Sequence, residues 1–474
     1  MEIRVFLFIK KLLQIQFHDI INLGCGNMKQ NILSYLELEK IFKIEKTVNI
    51  NKNMKFDFVR TLKYIDIPKR SSILYFPIYL NRYDDLGGWY LINSDTRKKI
   101  KEYSMEHPDY TYVLDEETYN NLNNDKIKVI IVEDIMESLD KLFNYIINNR
   151  TFETILVTGS VGKTTTVGLI KDVIGDNVLR IYSKRITPII LKTNIINYLT
   201  VDIKYLVLEA GLFFKHHVKY FSETLKPLIG ICLNILPEHI GIDGINSVED
   251  ITKYKLEIFR YSKYALINFE DNELSKLKFA DNKMFYNDYQ RESNVEKIYD
   301  ISKLNSNINL YIKTYVSKLE FSSAYYVGKI LNIPEKIILE RLNNSVPVEN
   351  RVNKNILLGR EIIFDGEVSG VARFSLFTNH FYDKAVLIIR YLTLDGEEYE
   401  DYSKFSQYFN RFDKVYLFND LKNLNDLKSD NVEIVSNHDF IKNIDKDTQI
   451  FYHYGSFYRK YDEFNIDNLD RLDI

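Results

Sequence analysis

The sequence predicts an α/β fold with mostly parallel sheets in three domains, and three observations carry that expectation. From about residue 150 onward, short runs rich in β-branched and aromatic residues alternate with stretches of helical character, the pattern of strands joined by crossover helices. One run, ILVTGSVGKTTTVGLI (155–170), passes from strand through a glycine-containing loop into an amphipathic helix. The chain has 474 residues, and at ~150 residues per domain that is about three domains.

The boundaries follow from local pattern. The helix-like stretch DIMESLDKLFNYIINN (134–149) ends where a strand begins, and NNSVPVENRV (343–352) marks a second break. The predicted division is 1–148 (mixed α/β), 149–345 (central) and 346–474 (a smaller α/β unit). Strands are expected at TILVTG, YLVLEAG (205–211), LIGICLNI (228–235), YALINF (264–269), REIIFD, KAVLIIRYL, KVYLFND, VEIVS and TQIFYHYG. Helices are expected after the glycine loop, over SVEDITKYKLEIF (247–259) and over YSKFSQYFNRF (402–412).

Composition removes several function classes. A net charge of −3 gives no global attraction to nucleic acid or anionic lipid. Two cysteines, Cys25 and Cys232, cannot form a disulfide framework, so a reducing compartment fits. Lys10 and Lys11 interrupt the apolar start, no small-residue cleavage site follows, and no apolar run is long enough to span a bilayer. A soluble, cytoplasmic, monomeric protein is expected. INLGCGN (21–27) echoes the glycine loop of S-adenosylmethionine methyltransferases, but MKQNILSYLELEKIF beyond it suits a plain helix.

The loop at 159–165 is the strongest chemical signal. A strand-to-helix loop aims backbone N–H groups and the helix dipole at one point, where an anion binds. Gly159 and Gly162 let the backbone close on phosphate oxygens, with Ser160 and Val161 between them. Lys163 can neutralise the β- and γ-phosphates, and Thr164, followed by Thr165, can offer a hydroxyl to Mg²⁺. The alternative is a strand–turn–helix corner without nucleotide. Val157 stands where the general phosphate-loop pattern has glycine.

Glu209 ends the strand YLVLEAG, at the edge where α/β sheets bind ligands; it could hold a magnesium ion or form an ordinary surface pair. In NILPEHIG, Asn234 and His239 read from local chemistry as loop residues, since Mg²⁺ prefers oxygen donors. In the 247–259 helix, Ser247 suits the N-cap. Val248, Ile251, Ile258 and Phe259 form one face, with Lys255 in its middle. Such a lysine either snorkels outwards or is driven towards a neutral amine by desolvation, and neutral amines react with CO₂. Asn268 and the pair Thr187–Pro188 serve equally as turn formers.

The variant loop T-G-S-x-G-K-T-T-T resembles that of the Mur ligase family, the ATP-dependent amide-forming ligases of cell-wall peptide synthesis and their relatives, including folylpolyglutamate synthetase. Members have an N-terminal substrate domain, a central P-loop ATPase and a C-terminal Rossmann-like domain, which the two breaks match. The resemblance implies that Glu209 is a magnesium ligand and that His239, in an Asn-x-x-x-(Asp/Glu)-His signature beginning at Asn234, ligates a second magnesium. Lys255 falls in an A-K-x-E-[IL]-F-like pattern whose lysine is carbamoylated in several branches and positions metal. Lys163, His239 and Lys255 thereby become the catalytic candidates. The resemblance further assigns Asn268 to adenine, Arg351 to ADP, Asp365 to the ribose and Thr187–Pro188 to the acceptor.

Departures cluster late in the chain. Asn350 replaces the glycine before Arg351, FDGEVSGVARFS matches no substrate motif of the wall-building branches, and Tyr454 stands in place of a lysine. DDLGGW (84–89) only loosely echoes the family's Asp-Gly-His segment. The implied function is an ADP-forming carboxylate–amine ligase using ATP and Mg²⁺ through an acyl phosphate. Its partners are a small-molecule acid and an amino acid or amine, with no nucleic acid and no membrane insertion. The loop favours the branch that joins D-alanyl-D-alanine to a UDP-muramoyl tripeptide. A specialised ligase of a secondary-metabolite, glycan or archaeal wall pathway, or a nucleotide-binding regulator on a decayed scaffold, are the alternatives.

Overall fold

The computed structural model describes residues 30–61, 72–77, 100–122, 126–181, 186–212, 214–238, 240–241, 244–345, 351–366, 368, 370–392 and 401–454. INLGCGN and DDLGGW lie outside them. The chain forms two compact units, residues 1–155 with 176–225, and residues 156–175 with 226–474.

The first unit holds a five-stranded sheet in the order Ile44–Val48, Lys128–Val132, Thr111–Leu114, Ile73–Tyr75, Phe58–Arg60. Its first pair is antiparallel and the remaining pairs are parallel. The parallel strands are apolar and buried along nearly their whole length, as expected for strands covered on both faces. The predicted helix forms over Ile135–Asn148, capped by Asp134, whose carboxylate accepts from the Glu137 N–H. A second helix, Pro188–Tyr198, starts on Thr187 as N-cap with Pro188 at its first position, where proline's missing N–H costs nothing. Asn197 on this helix bonds both the N–H and the C=O of Val59, at 2.7 and 2.9 Å, and so covers an edge strand that would otherwise expose its ladder. Strands Val178–Ile181 and Tyr205–Glu209 run parallel.

In the second unit, Ile229–Cys232, Tyr264–Ile267 and Lys297–Asp300 form a parallel ladder, and just beyond it the Leu233 N–H reaches the Thr158 carbonyl at 3.0 Å. The glycine loop leads into the helix Lys163–Ile174, which ends at Gly175 with φ 87°. The helix Tyr315–Ile330 packs along it. Close approach is possible because Gly328 lies where a Cβ would stand 2.7 Å from Ile338 and 3.0 Å from Val173.

The last sheet is ordered Asn353–Leu357, Arg360–Asp365, Gln449–His453, Ala385–Ile389, Lys414–Phe418, Val432–Val435, parallel except for the first hairpin. Its strand residues alternate between two cores, Ile363, Leu387, Val415 and Phe451 on one face, Ile362, Ile388, Phe418 and Ile450 on the other, as the two-residue period of a strand requires.

Two helices differ from expectation. The 247–259 stretch is two helices, Val248–Lys255 and Glu257–Tyr261, divided at Leu256. There the Phe259 N–H turns back to the Leu256 carbonyl in a three-residue step, tighter than an α-turn. The 402–412 stretch shortens to a single turn, Ser403–Ser406, and a 3₁₀ turn, Phe409–Arg411, because Tyr402, Phe405, Phe409 and Phe412 all enter one core.

Candidate active site

The strand Glu153–Thr158 delivers the chain into the loop at Gly159. Gly159 has φ 143° and its Cβ would stand 3.0 Å from Leu233 Cβ; Gly162 has φ 90°. Both positions are open to glycine and strained for other residues. Val157, the departure from the general pattern, is a fully buried strand residue, so its side chain belongs to the core rather than to the loop.

Asn234 braces the loop. Its Oδ1 accepts from the Ser160 and Val161 N–H groups, each at 2.9 Å, and its Nδ2 donates to the Val161 carbonyl at 3.1 Å. Lys163 folds back, Nζ donating to the carbonyls of Gly159 and Ser160 at 2.7 and 2.9 Å. Thr164 Oγ1 accepts from Arg351 Nη2 at 3.2 Å, so Arg351 reaches the first turn of the helix that would hold the phosphates.

Ser160 connects this loop to a buried charge chain. Its Oγ accepts from the Leu236 N–H at 2.9 Å and from Lys255 Nζ at 2.8 Å. Lys255 is fully buried and pairs with Glu238 Oε1 at 3.0 Å. Glu238 Oε2 accepts from Arg373 Nε at 2.9 Å and also from Arg373 Nη2. Lys255 therefore neither snorkels nor stands alone among apolar groups. Its ammonium is paired with a carboxylate that sequence reading placed in a motif without giving it a partner.

Of the remaining candidates, Asn268, Asp365 and Glu209 are buried. Asn268 is buried, its Nδ2 donating to the Leu233 carbonyl at 2.9 Å and to Tyr315 Oη at 3.0 Å, while its Oδ1 accepts from the Glu270 N–H. These bonds lock the chain at a strand end. Asp365 is buried at its strand end, Oδ2 bonded to His453 Nδ1 at 2.8 Å. Glu209 is buried at the end of its own strand, in the first unit. His239 lies outside the described residues. Among the described residues, no three His, Cys, Asp or Glu side chains gather as a metal cage. Mg²⁺ beside a nucleotide does not require one, since phosphate and water supply most of its ligands.

Glu320, in the helix Tyr315–Ile330, was not legible as a site residue. Its Oε1 lies 3.2 Å from where a Cβ on Gly162 would be, and the Thr165 hydroxyl bonds its carboxyl. Burial pushes this acid up to about 8, against the opposing influence of Thr165 and Arg351. A lone acid among Val316, Leu319, Phe321 and Ala324 was the available signal. Arg373 gave none, because only the fold brings it to Glu238.

Strand, glycine loop and helix together have the form of a phosphate-binding loop in an α/β protein. Residues 157–326 match the Mur ligase middle domain family model. Two curated relatives are UDP-N-acetylmuramoyl-tripeptide–D-alanyl-D-alanine ligases. The one from Rickettsia prowazekii is 27% identical over 253 residues, 51% of this chain and 50% of that protein. The one from Buchnera aphidicola is 27% identical over 157 residues, 32% and 34% respectively. The chain thus spans about half the length of the first and a third of the second. Among solved structures, the MurF ligase of Thermotoga maritima in complex with ADP aligns with TM-score 0.60 at 19% identity, over 82% of this chain and 92% of that one. MurF from Acinetobacter baumannii aligns with TM-score 0.64 at 13% identity, over 91% and 98%. The protein has the multidomain α/β fold of these ligases.

Proposed function

We propose that the protein is an ATP-dependent, ADP-forming carboxylate–amine ligase of cell-wall peptide synthesis, acting on a UDP-muramoyl peptide and a dipeptide such as D-alanyl-D-alanine. The observation that carries this is the continuous chain Asn234–loop–Ser160–Lys255–Glu238–Arg373, which ties a phosphate loop to buried charges of both signs. The substrate assignment is supported by the names of the two curated relatives. The three-part division at 148/149 and 345/346, a cytoplasmic location and a monomeric state belong to the same reading. No helix among the described residues is long and apolar enough to cross a membrane.

In this mechanism the N-terminal end of the helix Lys163–Ile174 and its dipole hold the triphosphate, and Lys163 exchanges its loop carbonyls for phosphate oxygens. Thr164, with phosphate and water, would hold magnesium, which would supply charge neutralisation. The γ-phosphoryl passes to a substrate carboxylate oxygen and ADP leaves. The amine nitrogen then attacks the acyl carbon, loses a proton and expels phosphate as the amide forms. Positioning and charge neutralisation do most of the work. Lys255 enters as a buried cation; its carbamoylation requires the amine first to part from Glu238.

The test is ADP release from the full chain with ATP, Mg²⁺, UDP-muramoyl tripeptide and D-alanyl-D-alanine, each omitted in turn. Release only in the complete mixture is expected. An ATPase rate that no carboxylate substrate changes would overturn the ligase assignment.

A further inference from the structure

Among the described residues, Glu320 is an acid seated against the phosphate loop that the proposed mechanism does not use. It projects from the middle of Tyr315–Ile330 onto the junction of the loop and the helix Lys163–Ile174, where Gly162 leaves just the room its carboxyl needs. The Thr165 hydroxyl bonds it from the first helical turn, and Arg351, itself bonded to Thr164, faces it from the chain beyond.

We propose that Glu320 is a positioning residue of the nucleotide site, which as a neutral acid steadies the start of the phosphate-loop helix and as a carboxylate drives nucleotide out. This rests on the reading of the loop as a nucleotide site. A helix N-terminus attracts a triphosphate because its free N–H groups are positive. A carboxylate within one residue's reach of those groups cancels that potential and competes with phosphate for Arg351. The protonated acid carries no such charge and still holds its hydrogen bond to Thr165.

Among the described residues around it, Glu320 is the acid that burial raises into the neutral range. On the loop, Lys163 is bonded to the Gly159 and Ser160 carbonyls. Tyr311 keeps its proton, held above the usual phenol range by burial and by the Glu320 charge. Arg341 bonds the Val173 and Ile174 carbonyls at the far end of the phosphate-loop helix. From the helix Val371–Phe377, which also packs on Tyr315–Ile330, Arg373 is committed to Glu238. Burial holds the Glu320 carboxyl near 8, so the neutral form prevails at pH 7 and the ionised form at pH 9.

The experiment measures MgADP affinity of the full chain by calorimetry between pH 7 and 9.5, where the ADP phosphates no longer titrate. The wild type is expected to lose affinity at least tenfold across the range with a midpoint near 8. Glu320→Gln keeps the shape and hydrogen bonding without the charge, so it is expected to match the wild type at pH 7 and stay within threefold throughout. A Gln variant with the same slope as the wild type, or a flat wild-type profile, overturns the proposal. Thr165→Val provides an independent arm. It removes the hydroxyl that favours the ionised acid and is expected to move the midpoint upwards; an unmoved midpoint counts against Glu320 as the titrating group. Absence of ADP binding by the wild type at every pH would instead overturn the nucleotide-site reading itself.

Discussion

Asn234 does at the scale of one side chain what the loop sequence cannot do for itself. A glycine loop is entropically costly to hold closed, and one amide group here satisfies two N–H groups and one carbonyl of that loop. Each such bond contributes about 0.5–1.5 kcal/mol net, and leaving its partner buried and unpaired costs more. Asn234→Ala is therefore expected to lower stability by about 1–3 kcal/mol and MgADP affinity by roughly 10- to 100-fold, read by thermal melting and calorimetry. An alanine variant binding MgADP within twofold of the wild type would remove Asn234 from the site. Cys232 behaves oppositely, as a core residue. Burial pushes its thiol up to about 12, and thiolate, not thiol, is the reactive form. In the native protein it is expected to react with a disulfide reagent only as fast as the fold opens; rapid stoichiometric labelling would contradict its placement.

At the scale of elements, the phosphate-loop helix is fixed at both ends by different means, the loop at its start and Arg341 at its finish. The guanidinium bonds the Val173 and Ile174 carbonyls at 2.6 and 2.8 Å, placing a positive charge on the negative end of the dipole. Arg341→Met is expected to cost about 1–3 kcal/mol in stability while MgADP affinity stays within threefold, since the binding end is untouched. A melting temperature equal to the wild type's would show that the cap does not hold the helix. The parallel strands were legible because strands buried on both faces must be apolar throughout, so runs such as TILVT and AVLII announce themselves. The small antiparallel pieces were not. The meander Lys278–Ala280, Lys283–Tyr286, Tyr289–Glu292 turns at Asp281–Asn282, both at positive φ, and that turn signal sits between mixed polar runs. The hairpin before Arg360 turns on Leu358–Gly359, where leucine at positive φ defies the usual asparagine signal. Within the site, the loop was legible because its residues are contiguous. Glu238–Arg373 and Glu320–Gly162 were not, because a pair separated by more than a hundred residues leaves no periodicity to read.

For the molecule as a whole, the question is how the last third of the chain takes part in a reaction whose nucleotide loop lies near residue 160. Two arginines supply the link, Arg351 bonding Thr164 and Arg373 forking onto Glu238. They differ in kind. Arg351 touches the helix start directly, whereas Arg373 acts through Glu238 on Lys255 and, through it, on Ser160. Guanidinium suits that task because its planar fork can place two N–H groups on one carboxylate, which an ammonium cannot reproduce. Charge-assisted bonds of this kind contribute about 1.5–3 kcal/mol. Their loss would leave Glu238 free to pull Lys255 away from Ser160 without emptying the phosphate loop. Arg373→Ala is accordingly expected to reduce ADP release in the complete ligase mixture at least tenfold while MgADP affinity changes less than threefold, and Arg373→Lys to recover part of the rate. Equal losses in rate and affinity would mean that Arg373 merely supports the fold, and full activity in the alanine variant would mean that the last third communicates with the loop through Arg351 alone.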